Sequence, residues 1–135
     1  MSLEMIKSVV TSIILALALV QALGMAQVRG YVRLLPVEKK RLVQWHRLGG
    51  VATLLLAVAV AAMCVFGERY AYYSPRVQAH AVMGVVAILV LAVKAVITNR
   101  FRRYLRYAPA LGAGAGLLVL GTFITSALWY FAQFA

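Results

Sequence analysis

Four long apolar runs, separated by short polar segments, dominate the hydrophobic pattern of the chain. The first run has 21 residues without a charge, from Ser8 to Val28, which is enough to cross about 30 Å of hydrocarbon as a helix. The pattern predicts helices over about 8–28, 42–66, 76–98 and 110–131. We therefore predict an all-α integral membrane protein, a four-helix bundle of up-down topology that forms a single transmembrane domain over 1–135. No cleavage site follows the first run, so we expect it to remain as a helix and not to act as a signal peptide.

Composition and charge agree with a membrane protein. The chain is 64% hydrophobic and 13% charged, with a mean hydropathy of +0.91. Its net charge of +11 comes mostly from two basic blocks, 29–41 and 100–106, that lie between apolar runs. Such blocks stay in the cytoplasm, so we expect both termini outside, in a multi-pass protein of the bacterial cytoplasmic (inner) membrane. They favour a lipid bilayer as partner, with an affinity for anionic headgroups, and no nucleic acid.

The chain lacks the residues that several classes of chemistry require. The single cysteine, Cys64, excludes an internal disulfide and a covalent c-type haem. The chain has no aspartate, no Ser/His/Asp or paired-carboxylate arrangement and no phosphate-binding loop. Hydrolytic and phosphoryl-transfer activity is therefore not expected, and any redox role is that of an electron carrier. The scarcity of polar residues at mid-membrane also argues against a transporter or channel.

A repeated motif carries the candidate chemistry. Gln44–Gly50 and Gln78–Gly84 both read Gln-x-His-x-x-x-Gly, 34 positions apart, and contain the only two histidines, His46 and His80. Each glycine, Gly50 and Gly84, lies one helical turn beyond its histidine on the same face, where it would let a macrocycle approach the backbone. The repeat predicts that one or both histidines ligate a haem iron. The alternative is that both are interfacial and hydrogen-bond to headgroups or a neighbouring helix.

The two histidines cannot share one iron within a protomer. Consecutive helices are antiparallel, so His46 lies near the cytoplasmic surface and His80 near the outer one, about 25 Å apart in depth. For His80 the candidate second ligands at its depth are Met63, Cys64 and Met83. Met63 is the best of these because it is a thioether donor on the adjacent helix. Its alternative role is to fill a gap in the core.

At the depth of His46 the expected partners are Lys94 and the start of helix four, which supplies no imidazole. A second haem there is the weaker proposal. Lys94 is expected to snorkel to the headgroups, and the alternative is a contact with a haem propionate or a quinone carbonyl near His46. Lys94 shares one face of helix three with His80, Gly84, Ala87 and Leu91.

Three further features concern packing. The turn before helix three is rich in tyrosine and indicates an aromatic belt or docking surface: Tyr70, Tyr72 and Tyr73. In helix four, Gly112 and Gly116 form a close-packing motif. The hydroxyl groups near its end, on Thr122, Thr125 and Ser126, are expected to bond to their own helix or to bridge to helix three.

These motifs resemble a known family. His46, Arg47 and Gly50 at the start of helix two, and His80, Ala81 and Gly84 at the start of helix three, are similar to motifs of the cytochrome b561 superfamily and its degenerate bacterial relatives. The ending Thr125–Phe131, together with Lys94, is similar to small uncharacterised four-helix bacterial membrane proteins related to those cytochromes. The likeness covers helices two to four.

The resemblance implies a b-type cytochrome fold, in which helix three pairs with helix one around an outer haem and helix two with helix four around an inner haem. This chain has no histidine in helix one or four, which excludes two bis-histidine haems in one chain. In the uncharacterised relatives a histidine stands near the end of helix two, where this chain has Met63. The sequence therefore predicts an electron-transfer subunit with one haem b near the outer face, between Met63 and His80, within a larger redox complex or homo-oligomer or serving a quinone pool. The alternative is a cofactor-free accessory or anchor subunit.

Overall fold

A computed structural model describes residues 2–33, 36–66 and 75–134, and within these ranges the regular structure is helical. The elements, in chain order, are α1 (Leu3–Val28), α2 (Lys39–Phe66), α3 (Pro75–Arg100), a 3₁₀-helix (Arg102–Tyr107), α4 (Ala108–Phe123), a π-helical turn (Ile124–Leu128) and α5 (Trp129–Phe134). The last four follow one another as a single span, Arg102–Gln133, called here the fourth span.

Four helical segments are long and apolar enough to cross a membrane, which confirms the predicted multi-pass all-α fold. Each packs against two neighbours in a closed ring, so the predicted four-helix bundle is confirmed as well. The α1–α2 and α3–α4 pairs are the most extensive, while α1–α4 and α2–α3 are sparser. The buried apolar positions of the described residues are small or aliphatic, which lets the helices approach closely: Ile14, Leu42, Ala87, Ala115, Val119 and Ala127.

Helix α1 begins five residues before its predicted start because Glu4 and Lys7 belong to its first turns. The Ser2 hydroxyl accepts a hydrogen bond from the Met5 amide and caps the helix. One turn on, the Lys7 ammonium pairs with the Glu4 carboxylate at 2.5 Å, so a lysine that is only 7% exposed keeps a counter-charge. A charged first turn is therefore compatible with burial in the bundle.

The end of α1 is set by Gly30. Its φ of +83° lies in the left-handed region, where an L side chain is strained. The Gly30 amide donates to the Gln27 carbonyl and the Tyr31 amide to the Ala26 carbonyl, the two bonds of a Schellman motif. This turn sends the chain out of the bundle towards the first basic block.

The fourth span departs from the prediction at both ends. Arg102–Tyr107 was predicted as a basic loop and forms an exposed 3₁₀-helix. Near the other end a π-helical turn, Ile124–Leu128, interrupts the α-helix. As predicted, the hydroxyls of this region bond to their own helix: Thr122 donates to the Val119 carbonyl and Ser126 to the Thr122 carbonyl.

Two sequence-based expectations are not tested by the fold. The tyrosine-rich turn, Tyr70 to Tyr73, lies outside the described residues. The assignment of both termini to the outer face also stays a prediction. The two ends of the bundle are therefore named below by their histidines, the His46 end and the His80 end.

Candidate functional site

The two histidines lie at opposite ends of the bundle, as the antiparallel order of the helices predicts. His46 contacts Lys94, near the end of α3, whereas His80 contacts Thr125, near the end of the fourth span. Each imidazole is half-buried and takes part in a polar cluster that joins different helices. The two clusters differ in which nitrogen of the imidazole ring makes the polar contact.

At the His80 end, the contact is made by Nδ1. It lies 3.2 Å from the Thr125 hydroxyl oxygen. That hydroxyl donates to the Gly121 carbonyl at 2.9 Å and also lies 3.2 Å from the Thr122 carbonyl, which itself interacts with the imidazole. We assign the ring proton to Nδ1, because the Thr125 hydroxyl then donates to its own backbone and its oxygen accepts from the ring. The lone pair of the neutral ring is then on Nε2, the arrangement of a metal-ligating histidine oriented by an outer hydrogen bond.

Two cations accompany His80. The Arg76 guanidinium donates to the Thr125 carbonyl and lies over the Trp129 ring, 3.9 Å from the ring centroid. Lys7 of α1 and Arg76 both act electrostatically on the His80 imidazole. The Trp129 amide bonds to Ser126 within the π-helical turn. The turn thus holds together a histidine, a guanidinium and an indole from two spans.

The α3–α4 contact beside His80 is close. A Cβ built on Gly84 would meet the Thr122 methyl at 3.9 Å, and one built on Gly121 would come within 2.6 Å of the Met83 sulfur. Gly84, predicted to make room for a macrocycle, therefore faces Thr122 of the fourth span. Among the neighbouring helix pairs of the described residues, α2 and α3 have the sparsest contacts.

Met63 lies half-buried in the last turns of α2. Its pairing with His80 stays a prediction. Within the described ranges there is no group of three or more His, Cys, Asp or Glu that could hold a metal ion.

At the His46 end the engaged atom is Nε2. The Lys94 ammonium lies 3.3 Å from it, and a Cβ built on Gly112 of α4 would lie 3.3 Å from the same ammonium. An ammonium can only donate, so the neutral ring accepts at Nε2 and carries its proton on Nδ1. Nδ1 is buried without a partner at hydrogen-bond geometry, although the Gln21 main-chain carbonyl interacts with the ring. The predicted proximity of His46, Lys94 and the start of helix four is confirmed.

Gln21 completes this cluster from α1, and sequence reasoning did not single it out. Its side-chain amide donates to the Thr53 hydroxyl at 2.7 Å, and Thr53 donates to the Gly49 carbonyl at 2.8 Å. Cβ atoms built on Gly49 and Gly50 would lie 3.2 and 3.6 Å from the Gln21 side chain. Gly50, predicted to face a macrocycle, therefore adjoins Gln21. An amide inside an apolar run was the available signal.

The sequence also did not identify Arg76 and Lys7 as site residues. The available signal was their type, since a cation at the start of a span needs a partner there, and Glu4 and Trp129 are those partners.

The chain belongs to a family of unknown function, DUF6529, whose profile matches residues 1–135. Comparisons with curated proteins and with solved structures gave no match. The family assignment names no activity. The resemblance to the cytochrome b561 superfamily stays a prediction from the motifs.

Proposed function

We propose that this protein is a membrane electron-transfer subunit of the b-type cytochrome kind, which holds one haem b at the His80 end. The observation that carries the proposal is the hydrogen bond between His80 Nδ1 and the Thr125 hydroxyl, because it leaves the Nε2 lone pair for an axial bond to iron. At the other end Lys94 occupies Nε2 of His46, which argues for one haem and not two.

We propose the α2–α3 side for the macrocycle. Two observations support this side: Gly121 and Met83 are in tight contact across the α3–α4 interface, and contacts between α2 and α3 are sparser. Met63, on the last turns of α2, is our candidate for the second axial position. Arg76 and Lys7 supply positive charge that favours the propionates at the membrane surface.

In this function the protein orients the His80 ring and places a positive charge beside it. Thr125 holds the His80 ring in one tautomer, and Trp129 with the Thr125 carbonyl holds Arg76 beside it. The bound haem supplies one-electron redox chemistry, with a potential set by its axial ligands and its burial. A quinone pool or a larger redox complex in the bacterial cytoplasmic membrane would supply and accept the electrons, and a homo-oligomer is an alternative assembly.

A visible spectrum of the purified protein tests the proposal. We expect a Soret band that shifts on reduction with dithionite. His80→Ala should remove it, whereas the matched variant His46→Ala should retain it, because His46 is engaged by Lys94 at the opposite end. Met63→Leu should lower the reduction potential, since a thioether ligand raises it. Protein without a Soret band, or with one that survives His80→Ala, would refute a haem at this site.

A cofactor-free accessory or anchor subunit is the second candidate, and one observation favours it. Both histidines already bridge helices, His46 to Lys94 and His80 to Thr125, which is a sufficient structural role for each. This function predicts copurification with stoichiometric partner subunits and no absorbance of its own. His80→Ala should then lower thermal stability without changing the visible spectrum.

A further inference from the structure

An open cavity of about 490 Å³ lies where the end of α1 meets the start of α2. It is separate from both histidine clusters. The Schellman turn at Gly30 forms one edge, and Lys39, the first residue of α2, forms another. These positions are the ends of two membrane spans, so the cavity opens at the depth of the lipid headgroups.

Polar and cationic residues make up part of the cavity lining. Arg33 and Lys39 supply two exposed positive charges, and Tyr31 and Gln27 add polar side chains. Guanidinium and ammonium groups are the side chains that bind phosphate oxygens. Glu38 is the acidic neighbour of Lys39 in the chain, is exposed and does not line the cavity.

The rest of the lining is largely apolar. Val32, Val37 and Leu42 belong to it, and Leu42 is only 4% exposed. From there the lipid-facing surfaces of α1 and α2 continue into the membrane with exposed aliphatic side chains such as Val20 and Leu23. A ligand that is anionic at one end and apolar at the other matches this arrangement.

The wider charge distribution favours the same ligand. Both basic blocks lie at this end of the bundle, and Arg29, Lys40 and Arg41 are exposed next to the cavity. Basic pockets between transmembrane helices bind anionic lipid headgroups, and each cation near the surface adds to the attraction. A free metabolite of the same charge would gain no binding energy from the apolar residues of the lining.

We propose that this cavity binds the phosphodiester headgroup of an anionic phospholipid, with Arg33 and Lys39 on the phosphate and the acyl chains along α1 and α2. The lipid is a specific ligand at one position and is distinct from the general layer of lipid around the bundle. The proposal does not depend on haem binding.

Native mass spectrometry of the full chain in detergent tests the proposal with three probes: phosphatidylglycerol, phosphatidylcholine of the same acyl chains, and glycerol 3-phosphate. We expect phosphatidylglycerol to bind at least about tenfold more tightly than either of the others. Equal binding of phosphatidylcholine would overturn the requirement for an anionic headgroup. Equal binding of glycerol 3-phosphate would mean a site for free phosphate and overturn the lipid assignment.

Matched variants separate the cavity from general surface charge. Arg33→Gln with Lys39→Gln should weaken phosphatidylglycerol binding about tenfold or more, whereas Arg102→Gln with Arg103→Gln, the same loss of charge on the exposed 3₁₀-helix, should change it by less than about threefold. The exchange of Arg33→Lys with Lys39→Arg should retain binding. An equal loss in both neutralised pairs would refute a specific site.

Discussion

The hydrogen bond between Gln21 and Thr53 joins α1 to α2 at the His46 end, and its removal gives a measurable coupling energy. Gln21→Met and Thr53→Val each delete one partner while keeping the side chain close in size. The Gln21 amide nitrogen lies 2.7 Å from the Thr53 hydroxyl oxygen, and Thr53 is only 3% exposed, so water cannot replace the lost partner. The double variant then shows whether the two residues act together.

The expected magnitude follows from hydrogen bonds between membrane helices, which contribute on average about 0.6 kcal/mol and at most about 1.7 kcal/mol. The short distance and the burial of Thr53 place this bond in the upper part of that range, so we expect a coupling of about 1 to 1.5 kcal/mol. Thr53→Val alone also removes the bond to the Gly49 carbonyl, but that loss occurs in both arms of the cycle and cancels.

The assay is reversible unfolding in mixed micelles with increasing SDS, followed by circular dichroism, for the parent chain, both single variants and the double variant. The control cycle pairs Gln21→Met with Thr98→Val, because the Thr98 hydroxyl donates to the Lys94 carbonyl of its own helix. We expect the control free energies of unfolding to add within about 0.5 kcal/mol. A Gln21–Thr53 coupling no larger than the control coupling would refute the reasoning.

Glycine substitutions give two further predictions, both read as thermal unfolding midpoints in detergent. Gly121→Ala should destabilise the protein by at most about 1 kcal/mol, because its Cβ would overlap the Met83 sulfur and this flexible side chain can shift, whereas Gly114→Ala, with nothing within 4 Å, should not lower the midpoint. Gly30→Ala should cost about 1 to 2 kcal/mol because its φ is +83°, whereas Gly24→Ala, in open space within α1, should not. Equal effects within either pair would contradict the corresponding explanation.

The end of the bundle at which each histidine lies was predictable from the sequence. The length of the apolar runs sets the spans, and their antiparallel order places His46 beside Lys94 and the start of helix four. The face of helix three that carries His80, Gly84 and Lys94 was also predicted, and all three meet the fourth span. Depth and face depend on helix rise and period alone, which is why they could be read without a structure.

The direction of the Lys94 side chain was not predictable in the same way. The sequence favours snorkelling, but the ammonium meets His46 and Gly112 inside the bundle. A lysine stem reaches either headgroups or a neighbouring helix, and the choice depends on whether the facing residue leaves space. Here the glycine at 112 provides it, and only the rotation of α4 against α3 shows that this glycine faces the lysine.

The cluster around His80 could not be predicted, because it depends on the π-helical turn, which has no sequence signature. Thr125, Arg76 and Trp129 are brought together by the π-helical turn, and its residues are equally compatible with an α-helix. The Lys7 contribution was missed for a different reason. The charge of Lys7 was taken to mark the limit of the first helix. Its pairing with Glu4 one turn earlier lets the helix continue through it.

The π-helical turn also sets the rotation of α5 about its axis relative to α4 within the fourth span. It contains one residue more than the α-helical turn it replaces, and each residue of an α-helix rotates the following segment by about 100°. Deleting one residue from 124–128 would therefore turn α5 around its axis while leaving α4 in place. Trp129 would leave Arg76 and face a different neighbour, so the length of this turn determines which side of α5 faces α3.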